Sequence, residues 1–92
     1  MLKIVRVRAD RESATLKLEG RLLGPWVEEL RRACERFLAA GASVTLDLGD
    51  MSFADRDGIR LLRSLMDRDV GLTNASGFLA ERLRAEEQQW MR

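Results

Sequence analysis

Four carboxylates stand close together in the middle of this 92-residue chain: Asp47, Asp50, Asp55 and Asp57, all within residues 44–62. Hard cations take carboxylate oxygens, so a magnesium cluster can be drawn from them. The local pattern speaks for a blander use. Asp47 falls inside an alternating stretch and Asp57 at the start of a helical one, so turn acids and helix caps account for the group. Ser52 is a nucleophile without a base, because the chain has no histidine and no motif joins it to Lys3 or Lys17. Lack of histidine also removes imidazole catalysis and the commonest zinc ligand sets. Gly20 and Gly24 are not a phosphate loop, since no Gly-Lys-Ser/Thr follows them. The single cysteine, Cys34, rules out an intrachain disulfide and sits among the apolar positions of a helical pattern, where it reads as buried packing. No catalytic residue, cofactor or metal is expected.

Arginine offers a different chemistry. Arg56, Arg60 and Arg63 recur at i, i+4 and i+7, on a helix face away from Ile59, Leu62 and Met66. A guanidinium pairs bidentately with carboxylates, so this stripe can dock an acidic partner; solvated surface is the competing reading. Arg56 is a cation at the positive end of a helix dipole, a cost of about a few tenths of a kcal/mol that a nearby acid would offset.

The elements that position these residues are legible in the periodicity. Val44, Leu46 and Leu48 alternate as a strand with one apolar face, and Gly49 and Asp50 are expected to break it. Phe53 and Ala54 give the loop that follows something to bury. Ile59, Leu62, Leu65 and Met66 are spaced as one face of a helix, capped by Asp55 or Asp57. Such a turn at a helix N-terminus also puts polar groups where an anion is held. Upstream, residues 3–8 and 14–19 alternate around the polar break 10–13 and predict a hairpin. Residues 20–25 turn the chain, with Pro25 suited to a first helical turn. Trp26, Val27, Leu30, Ala33, Cys34, Phe37 and Leu38 then form the apolar stripe of a helix from about 25 to 40, ended by Gly41. Its other face, with Glu28, Glu29, Arg31, Arg32, Glu35 and Arg36, is balanced in charge and reads as solvated. Residues 70–73 form a short strand, and Ser76 caps a last helix from near Phe78, on which Leu79, Leu83 and Trp90 share a face. The order is β-β-α-β-α-β-α. Two strand–helix–strand crossovers imply parallel pairing of 14–19, 43–48 and 70–73, and the hairpin adds one antiparallel strand. The fold class is therefore α/β with a mixed four-stranded sheet, in a single domain spanning 1–92.

The stretch Asp47-Leu48, Met51, Phe53 and Asp55-x-x-Gly58 resembles the core of the STAS domain, the fold of bacterial anti-sigma-factor antagonists. Gly20-x-Leu22 is similar to that family's Gly-x-Leu-Asp turn, and Asn74-Ala-Ser76 to its Asn-Ala-Ser before the last common helix. The resemblance covers roughly residues 3 to 84. It implies a non-enzymatic protein-interaction module whose partner is a kinase-like anti-sigma factor, or alternatively an accessory subunit of an ABC transporter ATPase. It also places the family's phosphorylatable serine at Arg56 and its second hydroxyl at Asp57, and Leu23 where an acid is common. Arginine has no hydroxyl, so no phosphorylation is expected there. Partner binding is expected at Asp55, Arg56, Asp57, Gly58, Arg60 and Arg63. Many family members continue past the helix matching 78–90 with a further strand. The strand at 70–73 is then an edge open to a second copy, with Trp90 and Met91 either at that homodimer interface or folded onto Leu83.

Composition bounds the rest. At 46% hydrophobic and 34% charged, the chain reads as globular, large enough to bury roughly 60–65% of its unfolded surface. Sixteen basic against fifteen acidic residues leave no net field for nucleic acid or a membrane surface. No signal peptide or long apolar run is present, so a reducing cytoplasm is expected.

Overall fold

A computed structural model describes the backbone of residues 1–90 and the side chains of 1–85. The observed order is β1 (Leu2–Ala9), β2 (Ser13–Leu22), α1 (Pro25–Ala39), β3 (Ser43–Ala54), α2 (Arg56–Met66), β4 (Gly71–Thr73) and α3 (Gly77–Trp90). The strands lie in the order β1-β2-β3-β4; β1 pairs antiparallel with β2, and β2, β3 and β4 run parallel. This is the mixed sheet expected from the two crossovers. The Trp90 side chain, Met91 and Arg92, where the core-or-interface question falls, lie outside the described residues.

Alternation decides which face of the sheet is covered. Leu16, Leu18, Val44, Leu46 and Leu48 are buried in one cluster with Leu30 and Cys34 of α1, Leu62 and Leu65 of α2, and Leu79 and Leu83 of α3. Residues between them in sequence, Thr15, Lys17, Thr45 and Asp47, point the other way and stay half-buried. All three helices therefore stack on one face, and the other is a polar sheet surface. Cys34 is fully buried, as its place in the helical stripe required; burial pushes its thiol up to about 11.

Two expectations about strand length are corrected. Gly49 and Asp50 do not end β3: it runs on to Ala54, and residues 20–22 are not a turn but the last part of β2. The two extensions pair with each other, Gly20 with Met51 and Leu22 with Ala54, across shifts in register. Gly20 makes this possible. Its φ is +106°, and an added Cβ would stand 2.5 Å from the Met1 carbonyl oxygen, which accepts the Arg21 N–H at 2.8 Å. Asp50, just past the separate register shift between Lys17 and Glu19, pairs with Lys17 at 2.8 Å.

Side-chain placement brings two more. Phe53 is 40% exposed instead of buried, while Ala54 is fully buried. On α2, Leu61 is buried and Met66 is 37% exposed, so the covered face is rotated toward Leu61. The packing of α3 against α2 through Leu79 and Leu83 explains the rotation, because α2 is covered by a neighbouring helix as well as by the sheet.

Candidate interaction site at the start of the second helix

Two parallel strands, β2 and β3, end together at one pole of the sheet, at Leu22 and Ala54, while β4 stops short with Thr73 level with Asp47. The chain leaves β3 at Ala54 and turns directly into α2. Asp55, extended at φ −79° and ψ −179°, makes the turn. Its N–H donates to the Leu22 carbonyl at 3.0 Å and its own carbonyl accepts from the Ile59 N–H at 2.9 Å. One carboxylate oxygen accepts the Gly58 N–H at 2.7 Å, and the other accepts the Gly24 N–H at 3.2 Å, in the turn that opens α1. Of the two acids expected as caps, Asp55 is the one used, and it ties the starts of two helices together.

Gly58 is buried against β2: a Cβ there would meet the Leu22 carbonyl oxygen at 2.8 Å and Leu22 Cγ at 3.0 Å. The glycine in Asp55-x-x-Gly58 is thus a requirement of close approach between α2 and the end of β2. Arg56 and Asp57 occupy the first two helical positions and are exposed. The cap draws the backbone inward and leaves these two side chains as the surface of the turn.

The arginine stripe divides. Arg60 is exposed, on the same side as Arg56. Arg63 is half-buried, its side chain 21% exposed, and pairs with Asp67 at 3.3 Å. It also lines a small apolar groove with Met66, Leu72 and Leu83. Arg63 is therefore as much a packing residue as a surface one.

Residues outside the expected set join this pole. Arg82 of α3 donates to the Ala54 carbonyl and lies over the Phe78 ring, 5.9 Å from its centroid. Phe78 is 63% exposed, so this pole carries two exposed aromatic rings: Phe53, next to Ala54 in sequence, and Phe78, tied to Ala54 through Arg82. The sequence signal for Phe78 was its position one residue off the Leu79/Leu83 face, with Arg82 one turn on.

The remaining carboxylates serve the backbone. Asp47 accepts from the Asn74 amide at 3.0 Å and from the Gly49 N–H at 2.9 Å, which together hold its carboxyl below the usual range. Ser52 donates its hydroxyl to the Gly20 carbonyl at 3.2 Å. Among the described residues no three carboxylate or cysteine side chains converge as metal ligands, because Asp47, Asp50 and Asp55 are turned to separate partners. No helix among them is long and apolar enough to cross a membrane.

No protein-family model matches this sequence, and no curated protein matches it either. Comparison with solved structures does find likeness. The anti-sigma factor antagonist SpoIIAA in its unphosphorylated form superposes with a TM-score of 0.68 at 22% identity, over 89% of this chain and 82% of that one. The chain has the STAS fold. At that identity the likeness establishes architecture, and the element order expected from the sequence agrees with it.

Proposed function

We propose that this chain is a non-enzymatic interaction module of the anti-sigma-factor-antagonist type, acting in a bacterial cytoplasm and docking a protein partner at the start of α2. Arg56, Asp57 and Arg60 present the contact surface; Asp55 and Gly58 shape it, and Arg63 supports its far end. What carries the reading is the exposed arginine at the first helical position of a turn whose acid cap and buried glycine are in place. A shared architecture with SpoIIAA supports an anti-sigma factor as the partner. The position that resembles a phosphoacceptor holds a guanidinium, so regulation by phosphate at this turn is absent, and Asp57 beside it would repel one.

Capture of partners from the source cell with the wild-type chain and with an Arg56→Glu/Arg60→Glu variant tests this. The expected result is an anti-sigma factor retained by the wild type and lost by the variant, with the mass of the chain unchanged after incubation with that partner and ATP. Retention of a transporter ATPase instead would assign the chain as an accessory subunit of that machine. A phosphate acquired at Ser52 would mean that the switch has moved along the loop.

A further inference from the structure

At the opposite pole of the sheet, the hairpin turn after β1 and the last turn of α1 enclose a second concave surface. It is a cleft of about 610 Å³. Its floor is apolar, made by Ile4 and Leu16 of the sheet and Ala33 and Phe37 of α1; its rim carries Arg6, Arg11 and Arg36. The three arginines are exposed, and none forms an ion pair with a carboxylate among the described residues. Arg6 instead lies over the Phe37 ring, 5.6 Å from its centroid. The acid that lines the cleft, Asp10, is turned into the hairpin, where it accepts the N–H groups of Glu12 and Ser13 at 2.8 and 2.9 Å. Arginines elsewhere on α1 are engaged: Arg31 and Arg32 share Glu28.

Beside the cleft runs β1, eight residues long and at the edge of the sheet, with no strand on its outer side among the described residues. It carries Lys3, Arg6 and Arg8 and no acid. An open edge is a template for another strand. A second copy of this chain is a poor occupant, because β1 against β1 sets basic side chains opposite one another. We propose that the outer edge of β1 and the adjoining cleft bind an extended acidic segment of a partner protein. Main-chain hydrogen bonds join it to β1, an apolar side chain rests on the Ile4/Phe37 floor, and flanking carboxylates pair with Arg6, Arg11 and Arg36. Alternate residues of a strand point to the same face, so the segment pairs and inserts at once. This is a second contact surface, at the other end of the sheet from α2's first turn, and it stands whether or not that turn binds an anti-sigma factor.

The test is fluorescence anisotropy with a labelled nine-residue peptide, Glu-Thr-Val-Thr-Glu-Thr-Val-Thr-Glu, whose valines and glutamates share one strand face, against the full chain. Tenfold or greater weakening is expected with the analogue carrying glutamine for glutamate and with a peptide N-methylated at alternate residues, which cannot form the strand pairing. Arg6→Glu/Arg36→Glu should weaken binding at least tenfold with circular dichroism unchanged, whereas Arg31→Glu/Arg32→Glu, an equal change of charge elsewhere on α1, should stay within twofold. Equal binding of the N-methylated peptide, or wild-type binding by the Arg6/Arg36 variant, would overturn the proposal. So would tighter binding of a single-stranded oligonucleotide than of the peptide, which would make the arginine rim a nucleic-acid contact.

Discussion

The two poles of the sheet are built on opposite plans. At the strand ends that lead into α2, polar groups are spent on the chain itself: both Asp55 oxygens accept backbone N–H groups, and Gly58 has no space for a side chain. At the pole between β1 and α1, the one rim acid is folded into its own turn and the guanidiniums face outward over an apolar floor. The first is a rigid presentation of a few side chains on a helix start. The second is an unfilled recess beside an open strand. A small sheet with helices on one face can hold both because parallel strands separate its loops into two sets, one at each end.

Substitution separates these plans most strongly at Gly58. Gly58→Val places a Cβ against the Leu22 backbone, and we expect roughly 1–3 kcal/mol of destabilisation from overpacking, read from urea unfolding. A loss no larger than that of an exposed site would show that the turn yields as freely as the cleft. Next comes the cap. Asp55→Ala is expected to cost about 1–2 kcal/mol, and Asp57→Ala about 0.5 kcal/mol or less, since only Asp55 caps the helix. Equal losses would remove the distinction between the residue that shapes the turn and the one that it displays.

The smallest effect compares the acids. Asp47 is held low by the Asn74 amide and the Gly49 N–H, and Asp10 by the N–H groups of Ser13 and Glu12, both against an ordinary value of 3.8. A carboxyl depressed in the folded state binds fewer protons than its unfolded counterpart. Its contribution to stability is present above pH 3.8 and is lost as the pH falls toward the lower folded value. Asp47→Asn and Asp10→Asn should each lower stability at neutral pH and flatten its decline between about pH 4 and 3, measured as unfolding midpoints across that range. Asp10 is exposed and Asp47 half-buried on the open face of the sheet, so the changes are small. An unaltered slope would mean that these bonds do not persist in solution.

Much of the architecture was readable in advance. Alternation located the strands, three- and four-residue spacing located the helices, and their order implied the parallel pairing. Ser76 was expected to cap the last helix, and its hydroxyl does accept the Leu79 N–H, at 3.1 Å. Asp55 was one of two candidate caps, and a cap three residues before Gly58 is a local matter of helix chemistry. What escaped the reading was long-range. Gly49 and Asp50 have the composition of a strand end, yet β3 passes through them because residues 19–22 of β2 lie alongside and pair with 50–54. Met66 and Leu61 exchanged roles because α3 covers the side of α2 that the helix's own pattern leaves ambiguous. Arg63 was placed on a surface stripe by spacing alone, and its burial depends on the same neighbouring helix.

The sequence by itself determined the type and order of the elements, the acid-capped start of α2 and the arginine at its first position, because these follow from periodicity and hydrogen bonds within a few residues. Tertiary structure alone decided which pole each charge occupies and which side chains from distant elements stand beside it. Arg31 and Arg36 look alike on one helical face. Arg31 meets Glu28 a turn away, whereas Arg36 is carried to the rim of a cleft whose other wall, Ile4 and Arg6, comes from a strand thirty residues earlier. Contacts of that range depend on how the helices settle on the sheet, which no local pattern of residues specifies.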